Sequence, residues 1–450
     1  MYFIIWYNMC EKGVGMKYYL IGIKGSGMSA LANLLHDLGN TVVGYDDSVE
    51  YKFTLDGLNK RGIKIYHDDT FIPTADFIIC YSNAVSPDHQ ELKRLEKYKL
   101  SKIKYADFIG SLTKKYNTIS VAGTHGKTTT SLMISTILDF AYGANYFVGD
   151  GRGHGNKNNK LFVLESCEYN KHFLAYSPET LVITNIELEH TECYKDIEDI
   201  IYNFNLLANN TSDNLVLCGD DLNVRKIKSN KNIYYYGFSE NNDLVAKNLV
   251  LNEEGSSFDV YYHGEFFANF KLKLFGSHMI LDSLACIMVS IIYKVPKDII
   301  MNKLSNFEGA IRRFNQEIIN KTVIIDDYAH HPTEIKATLE SARQKYPNKK
   351  VIAVFLPNTY SRTKDFLNDF AKVLSSFDKS YIMDIKCDRE NSDDYPGINS
   401  DLLISKTSNS EKISLETTDK LLAHQDDVIC FMSCANINPL IEKLKKLLSK

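Results

Sequence analysis

The chain lacks an apolar run long enough to cross a bilayer. Its most apolar start, Met1–Cys10, is too short and has neither a basic leader nor a cleavage site. It also lacks an excess of either charge. A total of 52 Lys and Arg against 56 Asp and Glu leaves −4, which excludes a global basic field for nucleic acid or a membrane surface. The nine cysteines form no CxxC pair and no zinc-ligand spacing. They read as reduced, largely buried thiols of a cytoplasmic protein. Short repeats and low-complexity tracts are absent too; a monomer or weak dimer is the expectation, with nothing in the sequence that fixes it. What is present is an ordinary globular composition, 44% hydrophobic and 24% charged over 450 residues, too long for one core.

Apolar runs alternate with helical patterns along the whole length, the signature of an α/β protein with largely parallel sheets. The pattern restarts twice, which divides the chain into 16–116, 117–306 and 307–450. Within the middle segment, a β-rich stretch is expected around 232–275. Residues 1–15 are read as a non-native or disordered extension. Glu11–Met16 is what a purine-rich, ribosome-binding type of run would encode just before an ATG, so translation is expected to begin at Met16.

Two loops carry the chemistry. Lys17–Ile23 is a strand, followed by Lys24-Gly25-Ser26-Gly27 and a helix with Met28, Leu31, Leu35 and Leu38 on one face, stopping at Gly39. Gly22, Gly25 and Gly27 bare amides at a helix N-terminus, where a diphosphate is welcome. Asp46 ends the next strand, where a Rossmann fold would hold a ribose. The spacing is G-x-x-G-x-G rather than the dinucleotide G-x-G-x-x-G, which favours a nucleotide diphosphate over NAD; a tight turn without a ligand is the alternative. The second loop is more specific. Strand Asn117–Ala122 leads into Gly123-Thr124-His125-Gly126-Lys127-Thr128-Thr129-Thr130 and a helix. Successive amides cradle phosphate oxygens, the Lys127 ammonium suits the β- and γ-phosphates of ATP, and the Thr128 hydroxyl suits Mg²⁺.

Through these two loops the chain resembles the Mur ligases of peptidoglycan synthesis. GTHGKTTT is similar to their shortened ATP loop, and GIKGSGMSALA to the substrate-nucleotide loop of their alanine-adding branch. Further matches follow in register: GDGRGHG (149–155), ESCEYNKHFLAY (165–176), ITNIELEHTECYKD (183–196), GAIRRFN (309–315), DDYAHHPTE (326–334) and SRTKDFLNDFA (361–371). The resemblance implies three domains: a Rossmann-like UDP-binding domain, a central P-loop ATPase-type α/β domain, and a C-terminal Rossmann-like α/β domain that binds the amino acid. It implies an ATP- and Mg²⁺-dependent ligase that joins the carboxylate of UDP-N-acetylmuramate to L-alanine through an acyl phosphate.

The resemblance also distributes roles. Gly22, Gly25, Ser26, Gly27, Met28 and Asp46 would bind the UDP-sugar. Glu165 would bridge two metal ions, with Thr128 and His190 as further ligands. Asn185 would brace the site or reach a phosphate oxygen, while Glu168 and Glu189 would stand behind the contacting residues or in solvent. Arg313 and Asp326 would attend ATP, with Arg312 at the same junction. Tyr328, His330 and Arg362 would receive the amino acid, Arg362 through a bidentate fork on its carboxylate and His330 as a helper in removing the amine proton. Sibling ligases place a carbamylated lysine downstream of the histidine; 202–210 contains no lysine, which agrees with the alanine-adding type.

The chain departs from the family pattern at Asp282, where asparagine is usual, at Asn358, where histidine is usual, at Ser433-Cys434-Ala435-Asn436 in place of a glycine-rich turn, and at Glu189 in place of aspartate. A sibling ligase with another amino acid or peptide, and a non-catalytic UDP-sugar- or ATP-binding paralogue, therefore stand as alternatives.

Overall fold

The computed structural model describes residues 15–387 and 390–449. All but the last residue of the expected extension 1–15 lies outside the described residues. Met16 is buried and its backbone N–H donates to Asn40 Oδ1 at 3.0 Å. Among the described residues no disulfide forms, and no helix is long and apolar enough to cross a membrane. The chain divides into two compact units. The first takes the chain through Ile186 with Glu198–Leu244 and Ser283–Lys303; the second takes Glu187–Ile197, Val245–Asp282 and the chain from Leu304 on.

The first unit contains two sheets. Strands β1 (Lys17–Ile21), β2 (Thr41–Tyr45), β3 (Lys64–Tyr66), β4 (Phe77–Tyr81) and β5 (Ser101–Lys104) lie in the order β3-β2-β1-β4-β5, every pair parallel. β1 is the central strand, and its KYYLI run is apolar on both faces for that reason. Tyr19 and Ile21 pack with Val43, Phe77, Ile79, Leu92, Leu95 and Leu100 on one side. Helix α1 (Ser26–Asp37) buries Met28, Leu31, Leu34 and Leu35, the stripe that its sequence period announces.

The second sheet of this unit is built from β6 (Asn117–Ala122), β7 (Ala144–Phe147), β8 (Gly153–His154), β9 (Leu161–Glu165), β10 (Thr180–Ile183), β11 (Asn214–Cys218) and β12 (Asn232–Gly237). They run β12-β11-β10-β6-β9-β7-β8. β6 has parallel neighbours on both sides, so the phosphate loop leaves the middle of the sheet at its carboxyl edge.

A strap of alternating glycines joins the two sheets. A Cβ on Gly149 would lie 2.5 Å from a Glu165 carboxylate oxygen, one on Gly151 3.1 Å from Ser29 Oγ, one on Gly153 2.0 Å from the Ala30 carbonyl oxygen, and one on Gly155 2.8 Å from the Leu34 carbonyl oxygen. Every second residue of 149–155 therefore presents bare backbone, first to the end of β9 and then to α1. Asn33 Nδ2 donates to the Gly151 carbonyl at 3.1 Å, and Arg61, bidentate on Asp37, donates to the Gly153 carbonyl at 3.1 Å.

In the second unit, β13 (Leu244–Asn252), β14 (Gly255–Tyr262) and β15 (Glu265–Leu272) form a meander, with β14 and β15 antiparallel. The β-rich stretch expected at 232–275 is thus β12 to β15. A third sheet follows: β16 (Asn315–Ile319), β17 (Thr322–Asp327), β18 (Val351–Phe355), β19 (Lys379–Ile382), β20 (Ser410–Lys412) and β21 (Val428–Met432), in the order β16-β17-β21-β18-β19-β20. Only β16 pairs antiparallel. Its two faces carry separate cores, one around Phe355 and Phe370, the other around Phe431 and Leu444.

Candidate active site

In the first unit the candidate groups gather at the carboxyl edges of the two sheets. After β1 the chain turns through Gly22–Gly25 into α1, whose leading amides at Ser26, Gly27 and Met28 have no intrahelical acceptor. The Met28 side chain is buried in the core, so only its backbone can face a ligand. Asp46 is buried as well; its carboxylate accepts the Lys24 amide at 2.9 Å and the Ser48 amide at 3.2 Å. The group expected at a ribose is thereby engaged in fixing the phosphate loop. Lys24 is 2% exposed, and its ammonium holds the carbonyls of Ser48 and Glu50.

The second loop is held from below by Asn185. Its Oδ1 accepts the His125 amide at 2.8 Å and its Nδ2 donates to the His125 carbonyl at 3.0 Å. Of the two roles expected for Asn185, this is the brace. The Thr124 amide donates to the Asn185 carbonyl at 3.1 Å. Gly126, at φ 80°, adopts the left-handed turn from which helix α2 (Lys127–Tyr142) departs.

The Lys127 ammonium donates to the carbonyls of Gly123 and Thr124 at 2.6 and 2.8 Å and to Glu168 at 3.0 Å. Glu168 is 3% exposed, so of its two expected placements the solvated one is corrected: it stands behind the loop lysine as its buried counter-ion. Thr128 and Thr129 open α2, and Thr128 Oγ1 donates to Glu165 Oε1 at 3.0 Å. Glu165 also accepts the Gly149 amide at 2.6 Å. Burial pushes its carboxyl above the ordinary carboxylate range, against the pull of the Lys127 charge and these hydrogen bonds. A hydroxyl beside a half-buried carboxylate is a hard-oxygen donor pair that suits Mg²⁺.

The second unit contains a chain of alternating charge. Arg313 Nη1 lies 3.4 Å from Glu334 Oε1, Glu334 Oε2 3.0 Å from His330 Nδ1, His330 Nε2 3.4 Å from Glu189 Oε1, and Glu189 Oε1 2.9 Å from Arg362 Nη2. Burial alone would lower the His330 pKa, but the flanking carboxylates raise it well above the usual histidine value. The carboxylates thereby favour the protonated ring, a donor from both nitrogens, over the neutral acceptor that a helper in removing the amine proton requires. Glu189 is 4% exposed and, despite burial, is held far below the carboxylate range by His330 and Arg362. It too is a counter-ion and not a solvated acid. Arg362 turns inward instead of into solvent, and its Nη1 is a buried donor with no acceptor among the described residues.

Other expected groups have different neighbours. Asp326 pairs with Arg312 at 3.2 Å, and Arg312 also donates to the carbonyls of Ser433 and Ala435. Asp326, expected at the nucleotide, thus takes part through Arg312 in a stitch between β17 and the end of β21. Ser433 is buried and donates its hydroxyl to the Leu356 carbonyl at 2.8 Å. The Tyr328 ring lies 5.3 Å from the Arg312 and 5.1 Å from the Arg313 guanidinium. His190 stands at φ 54°, a strained conformation for a side chain of its size, with Nδ1 3.5 Å from Glu192. Asn358 donates to the Lys386 carbonyl at 3.3 Å.

Two carboxylates went unnoticed in the sequence. Glu334 sits three residues into Pro332–Lys345 and closes a capping box with His331, a local signal that was there to be read. Glu390 accepts the amides of Tyr360 and Ser361 at 2.6 and 3.1 Å and the Ser361 hydroxyl, anchoring the short helix Tyr360–Asp365 that carries Arg362. Nothing local marks it.

A phosphate loop at the carboxyl edge of a parallel sheet, its lysine held by a buried acid and its threonine facing a half-buried one, defines a nucleotide-dependent α/β enzyme. Three family models match in chain order: "Mur ligase family, catalytic domain" over 17–117, "Mur ligase middle domain" over 121–290 and "Mur ligase, glutamate ligase domain" over 312–434. The chain belongs to the Mur ligase family, ATP-dependent ligases of peptidoglycan precursor synthesis.

Solved structures share the three-domain fold. UDP-N-acetylmuramate-alanine ligase MurC from Thermotoga maritima is 24% identical with a TM-score of 0.80, over 96% of this chain and 99% of that one. A murein peptide ligase from Psychrobacter arcticus is 20% identical with a TM-score of 0.68, over 97% and 99%. MurF from Thermotoga maritima, in complex with ADP, is 18% identical with a TM-score of 0.63, over 90% and 95%. At these identities the likeness carries the fold.

Proposed function

We propose that the protein forms an amide bond between the carboxylate of UDP-N-acetylmuramate and L-alanine, with ATP phosphorylating that carboxylate first. The observation that carries this reading is the Thr128–Glu165 oxygen pair, 3.0 Å apart beside Lys127 at the mouth of the phosphate loop. The working division is 16–116 for the UDP-sugar, 117–306 for ATP and 307–450 for the amino acid. Gly123–Thr129 wrap the triphosphate, and Lys127 exchanges Glu168 and two carbonyls for phosphate oxygens. Thr128 and Glu165 would hold Mg²⁺, which when bound neutralises charge on the transferred phosphoryl group. His190 keeps the metal role that the family resemblance gives it.

Arg362, with its unpartnered Nη1, and the His330 cation offer positive charge to the carboxylate of the amino acid. Glu189 and Glu334 keep both cations oriented and compensated. Arg313, at the other end of the same chain of charges, serves the nucleotide. The choice of alanine is supported by the lysine-free stretch 202–210.

A phosphate-release assay across amino acids and peptides tests the reading. Release of ADP and phosphate that requires both UDP-N-acetylmuramate and alanine supports it. Release with another amino acid or a peptide assigns a sibling activity, and binding without turnover assigns a non-catalytic paralogue. Lys127→Ala should abolish amide formation while UDP-sugar binding survives; loss of both would contradict the division of labour.

A further inference from the structure

The first sheet changes direction at β1. Its order β3-β2-β1-β4-β5 sends the chain one way from β1 to β2 and the other way to β4, and ligands of such sheets lie in the crevice outside the carboxyl ends at that switch. Three segments border the crevice. Gly22–Gly27 follows β1, and Ser82–Val85 follows β4, where a Cβ on Gly22 would lie 3.1 Å from Ser82 Cβ. The third is Tyr105, the residue immediately after β5 and the first of the helix Tyr105–Lys115.

Tyr105 reaches across from β5 to the loop after β1. A Cβ on Gly27 would lie 2.5 Å from the Tyr105 hydroxyl oxygen and 3.0 Å from its ring carbon Cζ. This contact accounts for glycine at position 27. The ring leans on Phe147, 6.1 Å between centroids, which fixes its direction. Glu165 and Cys167, at the ATP end of β9, lie within electrostatic reach of the phenol. The hydroxyl makes no hydrogen bond to the described residues and is not sealed from solvent, so a ligand lying along those amides can accept from it.

We propose that Tyr105 is a substrate-binding residue whose hydroxyl donates to the diphosphate of the UDP-sugar, beside the amides of Ser26–Met28. The inference rests on the reading of the first unit as the UDP-sugar site. Tyr105 then stands at the end of the diphosphate nearer Glu165 and marks the side on which the sugar acid leaves the first domain. The amides supply partial charge along the axis of α1, and the phenol supplies a donor from the flank, which fixes the orientation of the phosphates as well as their affinity.

Calorimetric titration of the full chain and of Tyr105→Phe with UDP-N-acetylmuramate, UDP and uridine provides the test. Phenylalanine keeps the ring and its contact with Phe147, so the fold is retained; an unchanged melting temperature checks this. The expected result is about tenfold weaker binding of both diphosphates, as for loss of one hydrogen bond to a charged group, with uridine unaffected. UDP binding within twofold of the parent overturns the inference, as does an equal loss for uridine, which would mean that the side chain only shapes the pocket. Failure of the parent chain to bind any UDP compound overturns the site reading itself, and the inference with it.

Discussion

Lys127 is the residue on which the chemistry turns, and its partner Glu168 sets its resting state. A buried lysine–glutamate pair is held together at the cost of desolvating both ions, and removing one partner leaves the other uncompensated. Glu168→Gln should therefore lower the melting temperature of the ligand-free chain. Nucleotide phosphates replace the missing negative charge, so the stabilisation by ATP should be larger in the variant than in the parent. Thermal unfolding with and without saturating ATP checks both; an equal nucleotide-induced rise would show that Glu168 does not hold the ammonium. The same logic explains which residues were legible. Lys127 and Thr128 announce themselves because a phosphate loop is local. Glu168, 41 residues from Lys127, and Glu189, 173 residues from Arg362, carry no local mark, because their roles arise from partners that only folding brings near.

Among elements, the glycine strap 149–155 does the most with the least side chain. Gly153→Ala would drive a methyl group to 2.0 Å from the Ala30 carbonyl oxygen, a backbone atom that cannot swing away. The expected cost is roughly 3 kcal/mol, within the range for overpacked sites. It should appear as a lower melting temperature and weaker UDP-sugar binding. Gly62→Ala, where a Cβ meets nothing within 4 Å, supplies the comparison, with its own strain from φ 66°. If the two variants melt alike, the close approach of strap and helix is not what matters. Strands and helices of the first two segments were readable from their apolar periods. The strap was readable only as a motif, since its reason lies in the backbone of a helix more than a hundred residues earlier.

For the molecule as a whole, folding and protonation are linked through a histidine in the second unit. Burial, with the Arg313 charge beside it, pushes His278 down to about 4. In the unfolded chain the ring takes up a proton near its usual 6.5, whereas the folded chain refuses it until far lower pH. Stability from this group is complete above pH 6.5 and is lost progressively as pH falls towards 4, by about 3 kcal/mol. Denaturant unfolding of His278→Asn across that window should show a flatter dependence than the parent; identical slopes would remove His278 from the balance. The three-domain α/β architecture was legible because each segment restarts the same alternation. The charge chain from Arg313 to Arg362 was not, because it joins positions spread between 189 and 362.

The strap has one more implication, for how this stretch can change over evolutionary time. In its extended end, 153–155, bare and side-chain-bearing positions alternate, so a single-residue insertion or deletion there would exchange the two sets and turn Arg152 or His154 toward the main chain of α1, which admits no further atom. A two-residue change would keep the parity. Length variation at this join should therefore occur in even steps.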